Sequence, residues 1–359
     1  MKYMYDMITL RDGLSIGGTS PTRVNCNIGC NKPSDYEYEK KKLLSIKENG
    51  VLPDMMMDLS LVDLSSPLYD IIRDELNLPF GTVLSYHGFK KDYGLSWDVI
   101  RNNLLKLCDA GMSFVTIHFT ADTDLLSKAN IERCIPFTSR GGGIVLYDTI
   151  LNGRKDNIFR EKIDELIDIV LQYDVAISLG STFRPGTILD ACDNVHIEET
   201  KRQLSICKYL QKNGVKTMVE NIGHISLDKL AKHAELLKEF HAPIMPLGPL
   251  PTDTAVNQDH IANAIGAAFG AYLGVTHVIN SVTRYEHSHS LITPEVTLEA
   301  IRSAKLAAHI VDLSRNVHDV LIEEKRITDK RKNLHSCISD GTACIRCSNV
   351  CPLKILPND

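Results

Sequence analysis

Short runs of β-branched and apolar residues recur along this 359-residue chain, with amphipathic stretches filling the intervals. The runs fall at 23–27, 55–60, 81–86, 114–119, 175–179, 215–220, 244–247 and 277–282. Helical spacing of apolar residues lies between and after them, at 36–48, 97–110, 158–172, 197–213, 227–240 and 294–313. In the last stretch Val296, Leu298, Ile301, Ala304, Ala308 and Val311 trace one face. Strands that read as near-continuous apolar runs are buried on both sides, which predicts an α/β fold with a parallel sheet covered by helices. About eight successive β–α units predict closure into a (β/α)8 TIM-like barrel. An open doubly wound sheet is the other architecture, but no GxGxxG follows the first strand.

Such a barrel needs roughly 250 residues, leaving room for a tail. We expect a catalytic barrel domain over 1–315 and a linker with a short Cys-rich, cluster-binding tail over 316–359. Residues 316–333 contain EEKR and DKRK and read as a solvated helix or linker. Net charge is −5, so no basic field invites nucleic acid. The opening MKYMYDMITLRDG lacks the long apolar core of a signal peptide. The stretch 261–279 is nearly apolar, but Asn263, Thr276 and His277 interrupt it. It reads as a buried Ala/Gly-rich helix running into a strand and not as a membrane span. A soluble, cytoplasmic protein is expected.

In a barrel of this kind the chemistry gathers at the C-terminal ends of the strands. Those positions here carry Asn25, Asn27, Asp58, Ser60, Tyr86, His87 and His118, then Ser181, Arg184, Glu220, His224, Gly248, Asp253, Glu286 and His287. One such residue would be a satisfied core group or a loop donor; a ring of them predicts a polar substrate. His224 and His287 each stand just past a strand. Two imidazoles from separate strands suit a divalent metal, Zn or Fe, with positions left open for substrate. Each could equally cap a helix or bond a carbonyl. Arg140 with Gly141, Gly142 and Gly143, and Arg184 with Pro185 and Gly186, suit a phosphate or carboxylate, or else form tight turns.

Six of the ten cysteines are scattered, and most of these read as small buried hydrophobes. The other four, Cys337, Cys344, Cys347 and Cys351, crowd the end of the chain. Cys344-x2-Cys347-x3-Cys351-Pro352 matches the end of a bacterial ferredoxin-type run. Three ligands to a [4Fe–4S] cluster leave one iron open, as reductive cleavage of a sulfonium cofactor requires. Four ligands, Cys337 included, would close the cluster into a carrier or structural centre. A zinc knuckle is the third arrangement this spacing allows.

Taken in order, VNCNIG (24–29), MMDLS (56–60), GTVLSYH (81–87), TIH (116–118), TSRGGG (138–143), SLGSTFRPGTILDACD (178–193) and MVENIGH (218–224) resemble the ThiC family. LGPLPTDTAVNQDHIANAIGAAFG (247–270), VTRYEH (282–287) and KLAAHIVDL (305–313) continue the likeness, which spans nearly the whole chain. The family makes the phosphomethylpyrimidine of thiamin. The resemblance implies a (β/α)8 barrel, a homodimer and radical S-adenosylmethionine chemistry with an external electron donor. It implies that His224 and His287 hold the metal that anchors S-adenosylmethionine, and that Cys344, Cys347 and Cys351 hold the cluster. Asn27, Tyr86, His118, Ser139, Arg140, Gly141, Arg184 and Glu220 match positions around the family's aminoimidazole ribotide substrate.

Departures accompany the likeness. The family's GDGLRPG reads Gly180-Ser181-Thr182-Phe183-Arg184-Pro185-Gly186, so Ser181 takes the place of a substrate-binding Asp. EGPGH reads Glu220-Asn221-Ile222-Gly223-His224, APGYDH reads Ala255-Val256-Asn257-Gln258-Asp259-His260, and the cysteine spacing is one residue shorter. Exchanging a carboxylate for a hydroxyl removes a charge-assisted hydrogen bond worth about 1.5–3 kcal/mol. The sequence therefore predicts a paralogue that makes or rearranges a heterocyclic cofactor precursor from another anionic small molecule, with lyase-like carbon–carbon chemistry. Glu220, Tyr86 and His118 are its expected catalytic groups. Asn27, Ser139, Arg140, Gly141, Ser181 and Arg184 are its expected substrate contacts. The alternatives are phosphomethylpyrimidine synthase itself, a relative serving benzimidazole, cobamide or pyridinol-iron cofactor synthesis, and a non-catalytic metal or Fe–S carrier.

Overall fold

The apolar runs assemble into a parallel sheet of seven strands. The computed structural model describes residues 7–62, 66–289, 291–315, 317–339 and 344–355. The first six strands are β1 (Arg23–Ile28), β2 (Met55–Asp58), β3 (Phe80–Val83), β4 (Phe114–Ile117), β5 (Ala176–Leu179) and β6 (Thr217–Val219). The next two, β7 (Ile222–His224) and β8 (Leu247–Leu250), pair with each other outside the sheet, and β9 (Val278–Asn280) returns to it. The order is β6-β5-β4-β3-β2-β1-β9, all parallel. Every residue of β2, β3, β4 and β5 is buried, as strands covered on both faces must be.

The closed eight-stranded barrel is corrected by the segment expected at 244–247. It gives one parallel bridge, Ile244 to Val219, instead of a ladder strand. Val219 N–H donates to Pro243 O at 2.9 Å, and His277 N–H donates to Ile244 O at 2.8 Å, so this short piece lies between β6 and β9. Pro243 and Pro246 flank it. A proline has no N–H to offer a ladder, which limits pairing to the residues between them.

Other differences are local. The run expected to continue through Tyr86 leaves the sheet after Val83 and turns into a 3-10 helix, Leu84–His87. The helix expected over 158–172 breaks into Ile158–Glu161 and Ile163–Tyr173. The Ala/Gly-rich stretch forms a helix, Asp259–Tyr272, followed by β9. Its Gly266 lies so close to β8 that a Cβ there would meet Pro249 O at 2.1 Å. No described helix is long and apolar enough to cross a membrane.

The chain packs as two compact units, residues 1–308 and 309–359. Within the second, the helix His318–Asn333 buries none of its residues, in keeping with its charge. Cys337 and Cys347 are exposed, Cys344 and Cys351 are half-buried, and all four are free thiols. Residues 340–343 and 356–359 of the expected tail lie outside the described residues.

Candidate active site

A cavity of about 1150 Å³ opens at the C-terminal ends of the strands. Its wall includes Asn27 from β1, Met57 from β2, Val83 from β3 and Asn280 from β9, with His118 and Glu220 just past β4 and β6. Of the expected site residues, Asn27, Tyr86, His118, Ser139, Arg140, Gly141, Arg184, Glu220, His224 and His287 all line it.

Ser181 does not. It is fully buried, and its hydroxyl donates to Glu199 Oε2 at 2.7 Å. Glu199 also accepts from Thr120 Oγ1 and from the Thr182 and Phe183 N–H groups, so it organises the turn after β5 from behind. The expectation that Ser181 contacts substrate is corrected on this ground: its hydroxyl is spent inward.

Glu220 Oε1 accepts from Thr116 Oγ1 at 2.6 Å and from Ser178 Oγ at 3.1 Å, which fixes the carboxyl against β4 and β5. Burial raises its pKa, and the hydroxyl donors and the Arg184 charge only partly offset that. Arg184 is pulled the other way, its pKa lowered by burial despite the nearby acids. Its Nη1 donates to Ser181 O at 2.8 Å. His118 is held near pKa 3 by burial, with the Arg184 charge adding to the effect, so the ring is neutral. Its Nε2 lies 3.0 Å from Ser139 Oγ, while its Nδ1 has no partner. The ring fits because Gly141 and Gly180 lack side chains: a Cβ on either would come within 2.4 and 2.8 Å of it.

The glycine run is not a free turn. Ser139 caps the helix Arg140–Leu151, accepting from Gly142 N–H at 3.0 Å, so the glycines form its first turn. That places a helix N-terminus, a natural anion site, at the cavity wall beside Arg140. Arg140 stacks over the Tyr86 ring at 4.7 Å and donates to Tyr86 OH at 2.9 Å and Asn31 Oδ1 at 2.8 Å.

His224 and His287 come together with ring centroids 4.8 Å apart. His224 Nδ1 lies 2.7 Å from Asp253 Oδ1, and His287 Nδ1 lies 3.0 Å from Asp259 Oδ1. Each ring therefore points Nδ1 at a carboxylate and keeps Nε2 for a ligand, the arrangement by which proteins orient metal-binding imidazoles. Burial lowers the pKa of His224, which favours the neutral ligand form. Asp253 is itself held by Thr187 Oγ1 at 2.6 Å and Ile188 N–H at 3.0 Å. The pair fits a divalent metal.

Sequence reasoning did not assign these carboxylates a supporting role, since they lie 29 and 28 positions from their histidines. It also missed Glu39 and Lys42, a buried pair 2.6 Å apart in the cavity wall. Their spacing along a helix gives the only sequence signal, and it also describes a common surface pair. The cysteine tail, taken by itself, offers three reduced, partly accessible thiols at 344, 347 and 351, a donor set that suits an iron–sulfur cluster.

A parallel α/β sheet with a polar cavity at its strand ends, a carboxylate-backed histidine pair and buried groups of shifted pKa defines an enzyme-type site. The chain belongs to the Radical SAM ThiC family, whose model matches residues 7–339. It is 31% identical over 372 aligned positions to the phosphomethylpyrimidine synthase of Carboxydothermus hydrogenoformans, covering 95% of this chain and 86% of that one. It is 33% identical to that of Thermotoga neapolitana, over 89% and 76% of the two chains. It is 35% identical to that of Ignicoccus hospitalis, over 84% and 70%. Family membership implies S-adenosylmethionine and an Fe–S cluster as cofactors.

Proposed function

We propose that this chain is a ThiC-like radical S-adenosylmethionine enzyme that makes or rearranges a heterocyclic cofactor precursor from a small anionic substrate other than aminoimidazole ribotide. One observation carries the reading: a single cavity gathers the carboxylate-backed pair His224 and His287, the cationic Arg140 beside a helix N-terminus, and the buried Glu220 and His118. Its volume of about 1150 Å³ leaves room for a substrate together with a cofactor.

When bound, the family's cofactors supply a carbon radical that abstracts a hydrogen atom from the substrate. Arg140 and the N–H groups at the start of its helix bind the anionic group of the substrate. Arg184 balances charge beside Glu220, whose raised pKa lets it hold a proton to higher pH than a surface carboxylate and exchange it with the substrate. Neutral His118 is held by Ser139 at Nε2 and keeps Nδ1 for a new partner, and Tyr86 orients both Arg140 and the substrate. Asn27, Ser139 and Gly141 shape the remaining wall. His224 and His287 would hold Zn or Fe through Nε2. Cys344, Cys347 and Cys351 would hold a [4Fe–4S] cluster with one open iron, and Cys337 would remain outside it. The working form is a cytoplasmic homodimer served by an electron donor.

Position 181 supports a different substrate, because Ser181 brings no charge to the cavity and its hydroxyl serves Glu199. Phosphomethylpyrimidine synthesis is the second reading, favoured by relatives of that name aligned over up to 95% of the chain. The test is anaerobic incubation of the reconstituted protein with S-adenosylmethionine, a reductant and either aminoimidazole ribotide or the small molecules that co-purify. The first reading expects 5′-deoxyadenosine with the co-purified substrate and no phosphomethylpyrimidine from the ribotide. The second expects both products from the ribotide, and no 5′-deoxyadenosine under either condition removes both.

A further inference from the structure

Next to Glu220, but outside the cavity lining, lies a second group of ligand-type side chains. Cys192 Sγ and ring nitrogens of His196 and His233 lie within 4.8 Å of one another, the only such threesome among the described residues. The two rings are buried and 4.2 Å apart, while Cys192 is half-exposed and gives the group a path to solvent.

The hydrogen bonds around Asn221 determine which ring nitrogens carry protons. Gln203 Nε2 donates to the carbonyls of Leu179, Gly180 and Glu220, so its Oε1 is an acceptor. Asn221 Nδ2 donates to that Oε1 at 2.7 Å and to Thr200 Oγ1 at 3.2 Å, so Asn221 Oδ1 is an acceptor in turn. It takes the Ile222 N–H at 2.6 Å and faces both His196 Nε2 at 3.2 Å and His233 Nε2 at 3.1 Å. Both imidazoles must therefore donate from Nε2 and carry a lone pair on Nδ1. His196 Nδ1 accepts the Cys192 N–H at 3.2 Å. His233 Nδ1 is buried and has no hydrogen-bond partner, a state that costs stability and that a Lewis acid would relieve.

We propose that Cys192, His196 and His233 form a second metal site, binding zinc(II) through one thiolate and two Nδ1 atoms. The Cys192 thiol proton leaves to solvent as the ion binds, His196 Nδ1 exchanges its bond from Cys192 N–H for one to the metal, and a water completes four ligands. Burial keeps both rings neutral, His196 near pKa 3 and His233 well below its usual value, so their lone pairs are available. Asn221 is the outer partner of both ligands, bracing each Nε2–H as second-layer groups do at metal sites. It stands where the ThiC pattern has a glycine, between Glu220 and β7, which carries His224. The ion would thus stiffen the turn that sets two cavity residues, whichever reaction the cavity performs.

The experiment uses the His287→Ala holoenzyme, with its cluster in place and verified by iron and sulfide content, loaded with zinc alone. X-ray absorption at the zinc edge is expected to show about one zinc per chain with one sulfur at ~2.3 Å and imidazole nitrogens at ~2.0 Å. Adding Cys192→Ser removes the sulfur, and His233→Gln weakens zinc binding at least tenfold. Zinc at a hundredfold excess over its Kd raises the melting temperature by about 4 °C unless Cys192 is replaced. Absence of a sulfur ligand, or its persistence in Cys192→Ser, overturns the proposal. Should Cys192→Ser not fold, unchanged zinc affinity in His233→Gln overturns it equally.

Discussion

Single side chains decide what this cavity can do, and the neutral histidine is the clearest case. Folded His118 refuses a proton until about pH 3 because burial, and then the Arg184 charge, oppose the cation. In an unfolded chain a histidine protonates near pH 6.5. Between those values the unfolded chain binds the extra proton, so this contribution to stability is complete above about pH 6.5 and shrinks as the pH falls toward 3. Urea unfolding midpoints measured from pH 7 to pH 5 should therefore fall less in His118→Asn than in the parent, and equal slopes would refute the assignment. At the histidine pair, Asp253→Asn removes the carboxylate behind His224 and should weaken metal binding 10–100-fold by equilibrium dialysis. An unchanged affinity would mean that the carboxylate does not orient the ring. Glu220, His224 and His287 were legible because each stands at or just past an apolar run, where strand ends deliver side chains, and Arg140 because three glycines follow it. Asp253 and Asp259 were not legible as supports, since only the fold brings them onto rings 29 and 28 positions away. Ser181 misled because its place in the chain suited a substrate contact, while Glu199, one turn into the next helix, had already claimed its hydroxyl.

Secondary elements show the same division. Six of the eight expected runs became strands of the main sheet largely where their apolar pattern put them, and the last survives as the short β9. The remaining run, at 244–247, failed as a strand because apolar periodicity registers side chains but not missing N–H groups, and Pro243 and Pro246 remove two. Close packing of backbone on backbone was equally invisible. The helix Asp259–Tyr272 approaches β8 at Gly266, and its first residue, Asp259, holds His287. Gly266→Ala would thrust a methyl group against Pro249 O, and backbone cannot yield as a side chain does. The expected result is a loss of about 1–3 kcal/mol in denaturant unfolding, with weaker metal binding at His224 and His287. A variant as stable as the parent, with its metal affinity intact, would show that the helix shifts without cost.

At the level of the whole molecule, the family match over residues 7–339 spans the cavity, while Cys344, Cys347 and Cys351 lie beyond it, so the proposed function rests on testing those thiols directly. The sequence displayed the tail plainly, because four cysteines crowd positions 337–351 at a spacing that suits an iron–sulfur cluster or a zinc ion. It could not display how many of them bind. The most direct test is electron paramagnetic resonance of the anaerobically reconstituted, reduced protein before and after S-adenosylmethionine is added. An open iron predicts a changed cluster spectrum and release of 5′-deoxyadenosine, both lost in Cys347→Ala and both kept in Cys337→Ala. A spectrum indifferent to S-adenosylmethionine, or one that depends on Cys337, would contradict the account and leave the chain a carrier of metal or electrons.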